Sequence, residues 1–157
     1  MDNFLMMLEN LDLSQWVLGS IWGYPIFLTF HSLGLGLLVG LLLIIDLRVL
    51  GFAKPLPLSE LRKLMPYVWF GFVLNAISGV VLFMADATKD FYSNSFRWKM
   101  LSILIGLVVA VTLNGTVLRE DTKDTPPMAK ILATVSLLSW VGAIVSGRLI
   151  AYLSPPI

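Results

Sequence analysis

His31 is the side chain in this sequence best suited to chemistry, and it is the only histidine. It lies between Asp12 and Asp46, in a stretch that contains no Asp, Glu, Lys or Arg. This stretch is long enough to cross a lipid bilayer. An ionisable group at that depth is costly and is therefore a functional candidate. Its imidazole could ligate haem iron, bind copper or transfer protons. A structural role is the alternative, with a neutral ring hydrogen-bonded to Asn75, Ser78 or a backbone carbonyl.

Haem b is the cofactor that the predicted surroundings of His31 favour. Its two propionates would need cations near the membrane edge, where Lys99 and Arg148 are expected. A flat macrocycle would also need small residues and aromatic neighbours at that level. These candidates are Ser78, Gly79, Ser146, Gly147, Trp98 and Tyr152.

The second iron ligand is left open by the sequence. Two histidine ligands would require a second histidine, and this chain has one. The iron could be five-coordinate, could take sulfur from Met84 or Met100, or could be shared with His31 of a second copy. We therefore predict a metal site made of His31 with Met84 as a candidate partner.

Composition excludes several other functions. The 157 residues include no cysteine, so disulfides and thiolate metal sites are excluded. The net charge is +1 without a basic block, so we expect no nucleic-acid partner. The sequence contains no recognisable nucleophile–base pair, phosphate loop or zinc motif, and we expect no catalytic activity from the chain alone.

The elements that must position His31 are membrane helices. Only 13% of the residues are charged, against about a quarter in soluble domains. Charge-free runs separated by short loops predict an all-α integral membrane four-helix bundle, a single transmembrane domain over residues 1–157. A short interfacial helix, residues 13–20, is predicted before it, with Trp16 and Trp22 at headgroup depth. The predicted spans are residues 25–45, 64–85, 99–118 and 131–152.

Small residues recur along each predicted span and indicate close helix packing in lipid. In the first span, Gly36 and Gly40 form a Gly-x-x-x-Gly pair, and His31 points to a different face, which it shares with Leu38. We therefore expect the glycine face to pack on a neighbouring helix. The stripes of the other spans are Gly71, Asn75 and Gly79; Ser102, Gly106, Ala110 and Asn114; and Ser136, Ser139, Ala143 and Gly147.

Lys and Arg residues are unequally divided between the two sides of the predicted bundle. The loops after the first and third spans hold Arg48, Lys54, Arg62, Lys63, Arg119, Lys123 and Lys130. The other side holds Lys89, Arg97, Lys99 and Arg148. Because positive residues favour the cytoplasm, we expect both termini to be periplasmic in a bacterial inner membrane. At the cytoplasmic end we expect Asp46, Arg48 and Arg119 to cluster, with an Asp46–Arg ion pair that ties the first span to the third and proton entry as the alternative role.

Three segments carry a resemblance that extends over most of the chain from Trp22 onward. They are HSLGLGLLVGLLLIIDLRVLGF, FRWKMLSIL and SGRLIAYL. The sequence resembles a group of small, uncharacterised bacterial four-helix membrane proteins and is distantly similar to the copper-resistance D membrane proteins and to b-type cytochrome bundles. That resemblance implies a redox or metal-handling role. It draws attention to His31, Asp46, Arg48, Lys99 and Arg148.

Together these observations predict a membrane haem-binding electron-transfer subunit. It would pass electrons between a periplasmic partner and quinone or another cofactor. We expect a homo-oligomer or a subunit of a larger membrane complex. The alternatives are a cofactor-free anchoring subunit of such a complex, or copper or proton transport.

Overall fold

The structure is a computed structural model that describes residues 2–52, 54–118 and 125–153. These residues form eight α-helices, and no β-strand occurs among them. The helices are α1 (Asp2–Glu9), α2 (Asp12–Gly19), α3 (Gly23–Leu50), α4 (Leu58–Arg62), α5 (Met65–Ala85), α6 (Ala87–Tyr92), α7 (Asn94–Thr116) and α8 (Pro127–Leu153).

Four helices are long and apolar enough to cross a membrane: α3, α5 with the short α4 before it, α7 and α8. This confirms the predicted all-α fold with four such helices. The first of them, α3, continues through Asp46 and Arg48 as far as Leu50. Gly51 then ends it with a φ of 110°, a left-handed conformation that glycine adopts without a steric penalty.

The long helices form an open arc. Extensive contacts join α5 to α3, α3 to α8 and α8 to α7, whereas α5 and α7, both fully described, touch only slightly. We call the gap between them the α5/α7 seam. The rings of Phe83 and Phe96, one from each helix, stack with centroids 5.1 Å apart and bridge the seam near α6. Three sides of the bundle are therefore closed and one side is open.

The short helices α1, α2 and α6 cover one end of the bundle, which we call the capped end. Two polar contacts hold α1 on α6. Glu9 Oε1 accepts the backbone N–H of Thr88 at 2.7 Å, and the hydroxyl of Tyr92 donates to Asp2 Oδ1 at 2.6 Å. The interfacial helix predicted at residues 13–20 corresponds to α2. Helices α1 and α6 were not predicted, because such short helices depend on tertiary contacts rather than on local propensity.

Apolar packing is divided into two clusters. The larger cluster fills the half of the bundle away from the capped end and includes Leu38, Leu42, Val68, Leu113 and Ala133. A smaller one, Val17, Val81 and Ala85 with Phe27 beside them, lies under the cap. Along α3 and α5, polar side chains occupy the interval between the two clusters. Those residues are His31, Asn75 and Ser78.

The glycines that bring α3 close to α5 are Gly34 and Gly71. A Cβ on Gly34 would lie 2.6 Å from the backbone nitrogen of Asn75, and a Cβ on Gly71 would lie 2.8 Å from that of Leu38. No atom would lie within 4 Å of a Cβ on Gly36 or Gly40. The prediction that Gly36 and Gly40 pack on a neighbouring helix of the chain is therefore wrong. The face that packs is the one carrying His31 and Leu38.

Candidate functional site

His31 and Asn75 make reciprocal hydrogen bonds across the interface of α3 and α5. The ring Nδ1 of His31 lies 3.0 Å from the backbone carbonyl oxygen of Asn75. The side-chain Nδ2 of Asn75 donates to the backbone carbonyl of His31 at 2.8 Å. Each side chain thus bonds the other residue's main chain. The pair orients the imidazole and also holds the two helices in register.

These contacts decide which ring nitrogen of His31 carries the proton. A carbonyl oxygen can only accept, so Nδ1 must be the donor. Ser78 Oγ lies 3.4 Å from the same nitrogen and donates its own hydrogen to the carbonyl of Leu74 at 2.7 Å. Nε2 therefore bears the lone pair. No hydrogen bond joins Nε2 to another group in the described part of the chain.

Gly79 makes room for the ring of His31. A Cβ at this position would lie 3.0 Å from Cε1 and 3.3 Å from Nδ1 of the imidazole. The ring therefore lies directly against the α5 backbone. Gly79, predicted from the sequence as part of the cofactor site, thus contacts the predicted ligand itself.

Lys99 extends from α7 toward the same level and is half-buried. Its stem lies against Gly147 of α8, where a Cβ would be 3.6 Å from both Cδ and Cε. Its ammonium group is close enough to His31 and to Asp90 to influence both electrostatically. A cation thus lies within electrostatic range of both the imidazole and Asp90 of the capped end.

The acidic residues of the capped end are Asp86 and Asp90, beside and within α6. Burial and, to a lesser extent, the neighbouring charge of Asp86 raise the pKa of Asp90 to about 6. Lys99 and Lys89 oppose that increase. Above about pH 6, Asp90 therefore supplies a negative charge beside Lys99, and below it the charge is lost.

The structure brings together four of the predicted site residues: His31, Ser78, Gly79 and Lys99. Trp98, with 65% of its surface exposed, and Arg148, also exposed, lie on the outside of the bundle. Met84 lies five residues beyond Gly79, about 7.5 Å along the helix axis.

One surface groove lies near the level of His31, and a second lies beside Trp98. One groove, about 140 Å³ in volume, is lined by Phe27, Phe30, Leu74, Ile77 and Ser78 and lies beside the His31 level on the outer face of α3 and α5. A second groove of about 260 Å³ is lined by Asn94, Arg97, Trp98 and Leu101. Within the described residues, no three His, Asp or Glu side chains converge on a common point.

Asp46 lies near the end of α3 and is fully buried. Both carboxylate oxygens are buried without a hydrogen bond in the described structure. The guanidinium of Arg48 donates instead to the carbonyls of Leu56 and Lys54 in the connection to α4. The arginine of the third span that was predicted to pair with Asp46, Arg119, lies outside the described residues.

Sequence comparison places the chain in a family. Residues 17–153, which include all four long helices and His31, match the model of a family of unknown function, DUF6644. The chain belongs to this family. No curated protein and no solved structure matches it. Membership of DUF6644 agrees with the expected resemblance to small uncharacterised membrane proteins. The expected similarity to copper-resistance D proteins and b-type cytochromes is not shown.

Proposed function

We propose that this protein is a membrane redox subunit in which His31 ligates haem b. The observation that carries the proposal is the hydrogen bond from Nδ1 to the carbonyl of Asn75. A metal-ligating histidine characteristically donates its second ring N–H to a carbonyl or carboxylate, which fixes the tautomer and the ring plane. His31 has this arrangement at an intramembrane position, and its Nε2 lone pair is left for a metal.

Haem would be held by few residues of this chain. His31 would provide the iron ligand, and Lys99 would neutralise one propionate, with Arg148 as the second cation. When bound, haem supplies a one-electron couple. The space beside Gly79 and Gly147 is filled by His31 and Lys99 themselves. The macrocycle would therefore lie outside these two packing contacts, on the side of His31 that presents Nε2.

The α5/α7 seam supports lateral access for an apolar ligand. Helices α5 and α7 leave this side of the bundle open, and Lys99 belongs to a helix that borders it. A haem or a quinone partitions into the hydrocarbon of the bilayer, so an opening between two membrane helices is a suitable route. The chain would transfer electrons between a partner at the capped end and quinone. By the distribution of Lys and Arg, the capped end would be periplasmic in a bacterial inner membrane.

The decisive experiment is an absorption spectrum of the detergent-purified protein, oxidised and then reduced with dithionite. We expect a Soret band with sharper α and β bands after reduction. The matched variants are His31→Ala and His31→Asn. The Asn side chain keeps a nitrogen donor near the position of Nδ1 but has no equivalent of Nε2. His31→Asn should therefore preserve the hydrogen bond to Asn75 and the folded bundle while abolishing the haem bands.

Two outcomes would contradict the proposal. Haem retained in full by His31→Asn would remove His31 as the ligand. A colourless wild-type protein from cells supplied with ample haem would favour a cofactor-free anchoring subunit. In that case the next question is which membrane proteins co-purify with it. Stabilisation by copper in the wild type, lost in His31→Asn, would instead indicate a copper site.

A further inference from the structure

Outside the His31 site, Asp46 is a deeply buried ionisable residue of the described chain, and its carboxyl group has no hydrogen-bond partner. Its exposed fraction is 0%, and neither carboxylate oxygen has a hydrogen bond. Ser136 of α8, also 0% exposed, faces this carboxyl group. The two side chains do not meet the geometry of a hydrogen bond as they are placed, and Ser136 Oγ likewise has no partner. Two unsatisfied polar side chains from separate helices thus face each other.

Among the described residues, the charged groups around Asp46 do not compensate a carboxylate. On α3, the guanidinium of Arg48 is directed to the carbonyls of Lys54 and Leu56. Glu60 on α4 and Lys63 just after it form an ion pair at the exposed surface. The remaining charged residues of neighbouring described elements, Arg62, Lys130 and Arg148, are exposed. Helix α5 contains no charged residue, and the charged residues of α7, Arg97 and Lys99, lie near the capped end.

An unpaired carboxylate in this position would carry a desolvation cost that no described neighbour repays. A divalent cation would need six or more oxygen ligands, and the described residues bring no cluster of acidic groups together. A proton satisfies the same group with a single acceptor. As a carboxylic acid, Asp46 can donate from one oxygen to Ser136 Oγ after a small rotation of the serine side chain, which gives one carboxyl oxygen and the hydroxyl a partner.

We infer that Asp46 and Ser136 form an intramembrane proton-binding site, in which Asp46 is a neutral carboxylic acid that donates to the Ser136 hydroxyl. The site is separate from His31, because the buried apolar side chains of Leu38 and Leu42 lie between them along α3. Asp46 is four residues from the end of α3, about 6 Å along the axis. Its proton therefore exchanges with the aqueous phase at the end of the bundle opposite the cap.

The test is infrared spectroscopy of the full-length protein in bilayers, in H₂O and in D₂O. We expect a carboxylic-acid C=O band at neutral pH that shifts in D₂O and is absent in Asp46→Asn. Ser136→Ala should retain the band at a higher frequency, because the acid loses its acceptor. Glu60→Gln, at an exposed acid, is the matched control and should leave the band unchanged.

Thermal stability distinguishes a neutral from an ionised Asp46 independently of the infrared band. Asn resembles a neutral acid, so Asp46→Asn should unfold within a few degrees of the wild type. A large fall in Tm for Asp46→Asn, with no acid band in the wild type at neutral pH, would overturn the inference and indicate an ionised Asp46 paired with an arginine. Loss of the band when Na⁺ replaces K⁺ would also overturn it, in favour of a cation site.

Discussion

His31 and Asn75 each bond the other's backbone carbonyl, over distances of 3.0 Å and 2.8 Å, and together they join α3 to α5. The bonds lie next to the closest backbone approach of the two helices, at Gly34 and Gly71. Close packing and polar pairing therefore act at the same place. The imidazole of His31 is held by the helix interface itself rather than by a flexible loop.

Replacing Asn75 by Ala should destabilise the protein modestly, by about 0.6–2 kcal/mol, because one interhelical hydrogen bond inside the membrane is lost. The backbone carbonyl that accepts from His31 remains, so the ring should keep its tautomer. Reversible unfolding in mixed micelles measures the change. Asn114→Ala is the matched control, because Asn114 Oδ1 is buried without a partner and its removal should cost little. An equal loss in both variants would contradict this account of the Asn75 bond.

Gly34→Ala should destabilise the bundle by about 1–3 kcal/mol, because the new Cβ would overlap backbone atoms of α5. Backbone atoms cannot move aside as a flexible side chain can, so α3 and α5 must separate. Gly36→Ala adds the same methyl group two residues away, where nothing lies within 4 Å. It should leave Tm unchanged. Thermal unfolding of the two variants in one detergent compares them, and similar Tm values would contradict the assigned packing face.

Asp90 should make the protein less stable as the pH rises from about 4 to about 6. Burial, followed by the charge of Asp86, raises its folded-state pKa to about 6 from an ordinary value of 3.8. The folded state therefore binds the proton more tightly than the unfolded state, and stability declines across that interval before it levels off. Asp90→Asn should remove this decline and raise Tm at pH 7.5.

The measurement is Tm of wild type and Asp90→Asn at pH 4.5, 5.5, 6.5 and 7.5. In Asp90→Asn, the lost attraction to Lys99 should lower Tm. Burial is the larger influence on Asp90, so the expected net change in Tm is still an increase. Asp12→Asn, at an exposed position of α2, controls for a general change in net charge. A wild-type Tm that increases steadily from pH 4.5 to 6.5, with the same profile in Asp90→Asn, would contradict the prediction.

Several properties could be predicted from the sequence because they depend on local composition. Charge-free runs longer than the bilayer core predict membrane helices wherever they occur, and four such helices are present. His31 could be selected in the same way, since an ionisable group in an apolar run is conspicuous by itself. A short helix before the first span was also predicted, with Trp16 and then Trp22 at headgroup depth, and α2 lies there.

The neighbours of these residues were decided by the tertiary structure. In lipid, apolar side chains cover both the helix interfaces and the outer surface, so periodicity does not show which face is packed. Gly36 and Gly40 formed the more recognisable motif, yet Gly34 makes the contact. Asp46 was near an arginine in sequence, but it faces Ser136. Hydropathy determined which segments are membrane helices; the rotation and order of those helices determined which side chains meet.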